Sequence, residues 1–225
     1  MFSFNIAEFK SNISNGGVLQ NNKFVVFIPI PPFIFSNFFS DVGNALFNVT
    51  SSYNFLYRAE QASIPGISIQ TQDVRRMGMG VAEKMPYNVA FQDTSISFLA
   101  DAKGDVHRFF YSWLSNVTDF KQTALGAIAS AFGFGSSSSS YEINYKSNYA
   151  TDIYIFVFDN VGNMVKTITL YDAYPVSLNE IPLDWASPNS LMKVNVGITF
   201  KHWSLLGVND IGSDIVNLAA GALGL

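Results

Sequence analysis

The segment from Asp73 to Asn88, DVRRMGMGVAEKMPYN, places two arginines directly before a run that alternates methionine with glycine. Glycine-rich backbone beside basic side chains is the arrangement that holds phosphate in many nucleotide sites. The Gly78-Met79-Gly80 run, however, matches neither G-x-G-x-x-G nor the P-loop, because no Lys-Ser or Lys-Thr pair follows at the required spacing. We therefore interpret this segment as a contact surface and not as a nucleotide site.

Other residue types that carry chemistry are few. His107 and His202 are the two histidines of the chain and form no His-x-x-x-His pair, and cysteine is absent. The serine run Ser136 to Ser140 has no G-x-S-x-G turn to hold a nucleophile. Carboxylate pairs such as Asp172 with Glu180 occur in any acidic protein. We expect no catalytic residues, no metal site and no cofactor, and hence no enzyme.

The composition indicates a surface that other subunits cover. The chain has 225 residues, 48% of them hydrophobic, which suits one domain with a full core, so we assign 1–225 to a single domain. Charged residues reach only 13%, well below the usual quarter, and phenylalanine alone occurs 21 times. An isolated monomer of this composition would expose much apolar surface, which normally marks interfaces.

Charge and hydropathy exclude two classes of partner. A formal net charge of −4 argues against a protein that grips nucleic acid by its phosphates. The sequence begins MFSFNIAEFKSN, without the basic and long apolar regions of a signal peptide, and has no run of about 18 apolar residues. We expect synthesis into a cytoplasm and no stable membrane association.

Hydrophobic periodicity predicts a mainly β fold. Strands are expected over residues 23–30 and 54–62, then, after a turn at Pro65-Gly66, over 67–74 as a hairpin partner in which isoleucines alternate with glutamines. Further strands are expected over residues 89–99, 153–159 and 164–172. A last long strand is expected over 191–203.

One helix stands out among the strands. From Asp101 onward, bulky apolar residues recur at i, i+3, i+4, i+7 and i+8. They are Val106, Phe109, Phe110, Trp113 and Leu114. A helix with such a face has to pack across the open side of a sheet, so we assign these side chains to the core.

Three segments lie outside this regular pattern. Residues 31–53 look like an insertion, residues 119–140 form a loop rich in glycine and serine, and residues 204–225 form an apolar C-terminal tail with a helical stripe. The loop at 119–140 is too short in its apolar part to span a bilayer. A membrane-touching role for it stays an alternative to contact with a neighbouring subunit.

Two blocks carry a family resemblance. The first covers residues 54–118, FLYRAEQASIPGISIQ through FFYSWLSNV, with its strands, long hairpin and aromatic helix; the second covers 151–203 and includes YDAYPVSLNEIPLDW and a final alternating strand. In order and spacing they resemble the tail tube proteins of contractile-tailed bacteriophages, including the tube initiators of the baseplate. The segments at 31–53 and beyond Trp203 are additions to a minimal tube protein.

The resemblance implies a β-sandwich or barrel with one flanking α-helix and an extended hairpin between rings, to which the sequence pattern adds a C-terminal helical tail. It implies homo-hexameric rings stacked into a tube, with sheath and baseplate proteins as partners and phage DNA passing without specific binding. Contacts between subunits or rings would then fall to Arg75, Arg76, Met77, Met79, Glu83 and Lys84. The lumen would be lined by Gln70, Gln72 and Asp93.

This reading makes the chain a virion protein of a phage tail that is assembled in the host cytoplasm, either as the repeating tube subunit or as a baseplate-proximal initiator. An inner tube protein of a bacterial contractile injection system or type VI-like system is the alternative. A hydrolase or a membrane-active protein is a further alternative from a different class. Activity or liposome leakage of the isolated chain would identify it.

Overall fold

The computed structural model describes residues 6, 10–11, 17, 19–29, 31, 58–118, 142–186 and 191–207. The strands of this part are β1 (Phe24–Phe27), β2 (Ala59–Ala62), β3 (Ile67–Val74), β4 (Glu83–Phe91), β5 (Thr94–Leu99), β6 (Thr151–Phe158), β7 (Met164–Leu178), β8 (Lys193–Thr199) and β9 (His202–Gly207). Its helices are α1 (Asp105–Val117) and α2 (Lys146–Tyr149), and a short 3₁₀ turn spans Arg76–Gly78. The predicted mainly β class is confirmed.

Two layers of sheet share the long strand β7. The strand order is β1-β6-β7-β8-β5-β2, and β9 also pairs with β7. The first half of β7 pairs with β6 and β9, whereas its second half pairs with β8. All of these pairs are antiparallel. Because its pairing partners change along its length, β7 leaves one layer and enters the other.

The crossing of β7 occurs at a local bend. Asp172 has a φ of 54°, in the left-handed region, and its backbone N–H donates to the Asp152 carboxylate at 3.0 Å. At the same corner the backbone N–H of Lys201 donates to the carbonyl of Tyr171 at 3.0 Å. The single strand predicted over 191–203 was therefore wrong, because the chain bends at residues 200–201 and continues as β9 on the other layer.

The predicted pairing of residues 54–62 with 67–74 was also wrong. Strand β2 pairs with β5, with Ala62 opposite Ile96, and β3 pairs with β4. Alternation fixes which face a residue occupies but does not choose the partner strand. The Pro65-Gly66 step instead carries the chain out of the main sheet. The first strand is also shorter than the predicted 23–30 and ends at Phe27, ahead of the prolines.

Helix α1 covers the core. Val106, Phe109, Phe110 and Trp113 of its predicted apolar face are buried, whereas Leu114 is half-buried. Phe110 lies 5.0 Å from Phe98 of β5 between ring centroids. The indole N–H of Trp113 donates to the carbonyl of Tyr149 at 2.8 Å, which fastens α2 to α1. The helix begins at Asp105, after Gly104 in a left-handed conformation, and thus four residues later than the sequence pattern suggested.

Most residues of the three segments outside the regular pattern also lie outside the described part of the chain. Apart from Pro31, the 31–53 insertion lies outside the described residues, as does the 119–140 loop. Residues 204–207 of the predicted tail are part of β9, and residues 208–225 lie outside the described residues. No helix within the described ranges is long and apolar enough to cross a membrane.

Candidate assembly interface

The hairpin formed by β3 and β4 stands apart from the rest of the fold. It is a separate two-stranded sheet, joined to the main body where the backbone N–H of Gln92 donates to the carbonyl of Gly66 at 3.3 Å. Every residue of β3 is exposed, and so are the first seven residues of β4. Because an isolated two-stranded hairpin is at best marginally stable in water, this arm needs a surface to pack on.

The two faces of this hairpin differ in polarity. Residues directly opposite each other in an antiparallel pair share a face. Ile67 lies opposite Phe91, and Ile69 opposite Val89, which makes the base of one face apolar. We call these four residues the apolar face. Ile69 is 61% exposed and Val89 50% exposed, so much of this apolar area is open to solvent in one copy of the chain.

The opposite face is polar and holds two of the predicted lumen residues. Gln70 lies opposite Asn88, whose side-chain amide donates to the Gln70 carbonyl oxygen at 3.1 Å, and Gln72 follows on the same face. We call this side the polar face. The third predicted lumen residue, Asp93, lies beyond the hairpin in the link to β5 and accepts a hydrogen bond from the Thr199 hydroxyl at 2.7 Å.

The tip of the hairpin, residues 75–82, presents apolar side chains to solvent. Met77 is 94% exposed and Val81 is 96% exposed, and Met79 is nearly as open. Met77 has a φ of 56°, and Gly78 and Gly80 also have positive φ, so the backbone turns through left-handed conformations that favour glycine. Such a turn holds the methionines out as separate, adaptable contacts.

The charged residues predicted to contact other subunits cluster at the same end. Arg75 is exposed as the first residue of the tip, and Lys84 lies opposite Asp73 in the strand register. Glu83 lies opposite Val74. The structure describes the backbone of Arg76 but not its side chain. The sequence therefore located the tip and its charges, whereas the contribution of Val89 to the apolar face emerged only from the register.

Pro86 occupies an irregular position in the hairpin. It lies inside β4 and not at the end of a strand, opposite Thr71, at the point where the register shifts by one residue. A proline in a sheet is typical of such irregular positions because it has no N–H to donate. The bulge adds Tyr87 to the exposed surface of the arm.

Two features of the titratable side chains bear on chemistry in the described residues. No cluster of three or more His, Asp or Glu side chains there is placed to hold a metal ion. Burial raises the pKa of Tyr149, helped by Tyr174, and burial also raises the pKa of Tyr154, helped by Asp152 and Tyr171. A raised pKa keeps both phenols protonated at neutral pH, so neither supplies a phenolate there.

Comparison with known proteins agrees with this geometry. A family model described as "Phage tail tube protein" matches residues 19–206, which is most of the chain and contains the hairpin. The chain belongs to the phage tail tube protein family. No curated protein matched this tail tube chain at a significant level.

Solved structures share the fold of this tail tube protein at low sequence identity. A chain in the anti-feeding prophage baseplate, 6-fold symmetrised, aligns with a TM-score of 0.53 at 15% identity, covering 85% of this chain and 97% of that one. A chain in the cap that terminates the anti-feeding prophage tube aligns with a TM-score of 0.52 at 14% identity, covering 85% and 92%. Both are components of the anti-feeding prophage, and the likeness extends over nearly the whole length of both chains.

Proposed function

We propose that this tail tube protein assembles into homo-hexameric rings that stack into the inner tube of a contractile phage tail, through which DNA passes. The observation that carries the proposal is the β3–β4 hairpin, which exposes its apolar face in a single copy. Burying a side chain such as Ile69 stabilises an interface by about 1.5–3 kcal/mol. A ring repeats that gain at every subunit junction.

Sheet edges support ring closure in the same proposal. Strands β1 and β2 end the described strand order, and each pairs on one side within the described residues. Open edges invite further strand pairing, and a closed ring satisfies them without unlimited growth. A chain of the anti-feeding prophage baseplate has a similar fold, and that baseplate is 6-fold symmetrised. This symmetry supports a ring of six subunits for the present chain.

The polar face of the hairpin fits the lumen of such a tube. Its amides at Gln70, Gln72 and Asn88 carry no positive charge, and a lumen without cations lets a polyanion move without sticking. Asp93 would add negative charge near the hairpin base. Sheath proteins would cover the outside, baseplate proteins would meet the first ring, and the particle would be assembled in the host cytoplasm.

Two roles fit this assembly: the repeating tube subunit and the baseplate-proximal initiator. The resemblance to chains of the anti-feeding prophage baseplate and cap also favours a second candidate, an inner tube component of a bacterial contractile injection system. Both candidates use the same interfaces. They differ in whether the tube carries DNA.

Negative-stain electron microscopy of the purified chain, with mass photometry on the same sample, tests the proposal. Long hollow tubes identify the repeating subunit. Isolated rings, or monomers that assemble only when baseplate proteins are added, identify the initiator. A monomer that never assembles at high concentration contradicts the proposal.

A further inference from the structure

A second apolar surface lies far from the hairpin, in the segment between β7 and β8. A cavity of about 760 Å³ is lined there by Ile181, Pro182, Leu183, Trp185, Leu191 and Met192 among others. Trp185 is fully exposed and Leu183 is 84% exposed, so neither side chain is covered by the described part of its own chain. We call this surface the Trp185 cavity.

The charges around the Trp185 cavity are mainly negative. Glu180 and Asp184 line it, and the Asp184 carboxylate also accepts a hydrogen bond from the backbone N–H of Ala186 at 2.8 Å. Its one lysine, Lys193, is neutralised by an ion pair with Glu60 at 2.7 Å. The carboxylates of Glu180 and Asp184 therefore lie at the edge of the apolar Trp185 cavity.

The hairpin tip has the complementary composition. Between residues 75 and 82 the charged residues are the two arginines, Arg75 and Arg76, and the apolar ones are Met77, Met79 and Val81. Flexible methionines suit an irregular apolar cavity, and arginine suits a carboxylate rim because it forms paired hydrogen bonds. Opposite charge at the rim of an apolar contact sets its register and excludes wrong partners.

Topology places the two surfaces at opposite ends of the β5–β8 pair. The hairpin leaves the body next to Thr94, which lies opposite Ile198, whereas the cavity adjoins Lys193, which lies opposite Leu99. Five residue steps along β5 separate these ends by about 17 Å at the usual rise of a strand. A surface at one end and its complement at the other generate a head-to-tail contact, which repeats from copy to copy.

We propose that the hairpin tip of one copy inserts into the Trp185 cavity of the next copy, with Met77, Met79 and Val81 against the apolar lining and Arg75 beside Glu180. The occupant of the cavity is thus a second copy of this chain. This inference rests on the proposed tube function and adds the receiving site for the tip. It makes ring stacking polar, because each copy offers a tip at one end and a cavity at the other.

Engineered cysteines test the contact in a chain that has none of its own. Met79→Cys and Leu183→Cys, both at exposed positions, are made in separate chains, mixed and assembled under oxidising conditions. A disulfide needs Cβ atoms about 4 Å apart, so a crosslink reports direct contact. The expected result is a dimer that contains one chain of each kind, resolved on a non-reducing gel by a size tag on one variant.

Val161→Cys, at an equally exposed turn between β6 and β7, replaces Leu183→Cys in the matched control. We expect loss of the mixed dimer with this partner. Equal crosslinking to both partners, or crosslinks confined to pairs of Met79→Cys chains, overturns the inference. Electron microscopy of the same samples separates the two proposals: tubes or ring stacks without the Met79–Leu183 crosslink refute the receiving site alone, and absence of any assembly refutes both.

A charge exchange gives an independent readout. Arg75→Glu and Glu180→Arg, each alone, are expected to cause loss of stacked assemblies while single rings persist. The doubly substituted chain is expected to stack again, because the pair is restored with reversed sign. Failure of the double variant to recover stacking, where both single variants lose it, contradicts the direct pairing of these two residues.

Discussion

Asp172 shows how one residue sets the bend that joins the two layers of sheet. Its φ of 54° is tolerated by Asp and Asn but strained for β-branched side chains. We expect Asp172→Val to lower the free energy of unfolding by about 1–3 kcal/mol. The measurement is urea denaturation of the unassembled protein, followed by tryptophan fluorescence.

Asp172→Asn is the matched control for this substitution. Asparagine also adopts left-handed conformations, and the ion pair that it removes, Lys146 to Asp172 at 3.6 Å, is about half exposed. Half-exposed pairs contribute about 0.5 kcal/mol or less. An Asp172→Val protein as stable as Asp172→Asn would contradict the strain argument.

The aromatic face of helix α1 holds the elements of the core together. Trp113 is fully buried, stacks on Phe110 and donates to the carbonyl of Tyr149. We expect Trp113→Ala to cost about 3–5 kcal/mol of unfolding free energy, because it leaves a cavity and an unpaired carbonyl. Arg108→Ala, on the exposed side of the same helix, should change the unfolding free energy by no more than about 0.5 kcal/mol. Thermal unfolding monitored by circular dichroism compares the two, and a similar effect of both would refute the core assignment.

The hairpin is the element that links fold to assembly, and its two faces predict different outcomes. Ile69→Ser removes apolar area that is solvent-exposed in one copy, so we expect the monomer to keep its stability. Association should weaken by roughly 10- to 100-fold, which is the equivalent of about 1.5–3 kcal/mol per contact. Sedimentation velocity across a concentration series measures this.

Gln70→Ser, one residue away on the polar face, is the control for that change. It removes the amide oxygen that accepts from Asn88 on the polar face, and association should stay within about 2-fold of the unmodified chain, as for a surface substitution. Weakening by Gln70→Ser equal to that by Ile69→Ser would reverse our assignment of the faces.

The sequence predicts those helices and strands that local spacing determines, and it does not predict those that depend on contacts between distant segments. The apolar face of α1 and the position of the hairpin tip follow from local spacing, and the structure has them at the expected residues. The partner of β2 and the split of residues 191–203 into β8 and β9 depend on contacts between distant segments, such as Lys201 with Tyr171. No local pattern records those contacts. The Trp185 cavity escaped prediction for a different reason: its lining comes mostly from the connection between β7 and β8, where no regular hydrophobic period indicates a conformation.

At the scale of the whole molecule, the acidic balance of the chain and the uncharged polar face predict how an assembled tube treats DNA. In the tube that we propose, glutamines at positions 70 and 72 would give a lumen without cations to bind phosphate, in a chain with a formal net charge of −4. We expect linear DNA present during assembly not to co-sediment with tubes of the unmodified protein. Retention of DNA should depend on the charge of the polar face and not on the total charge of the chain. One added cation, placed either on or away from the polar face, distinguishes these two contributions.

Gln72→Lys places one cation per subunit on the polar face, and Val161→Lys adds the same charge at the turn between β6 and β7. We expect tubes of Gln72→Lys to retain DNA at low salt and to release it as salt rises, because binding through phosphate contacts depends on counterion release. Tubes of Val161→Lys should retain no more DNA than the unmodified protein. Co-sedimentation at two salt concentrations, with tube integrity checked by electron microscopy, measures both. Equal retention by the two variants would mean that the polar face does not line the channel, and the hairpin would then have to present its apolar face to the lumen.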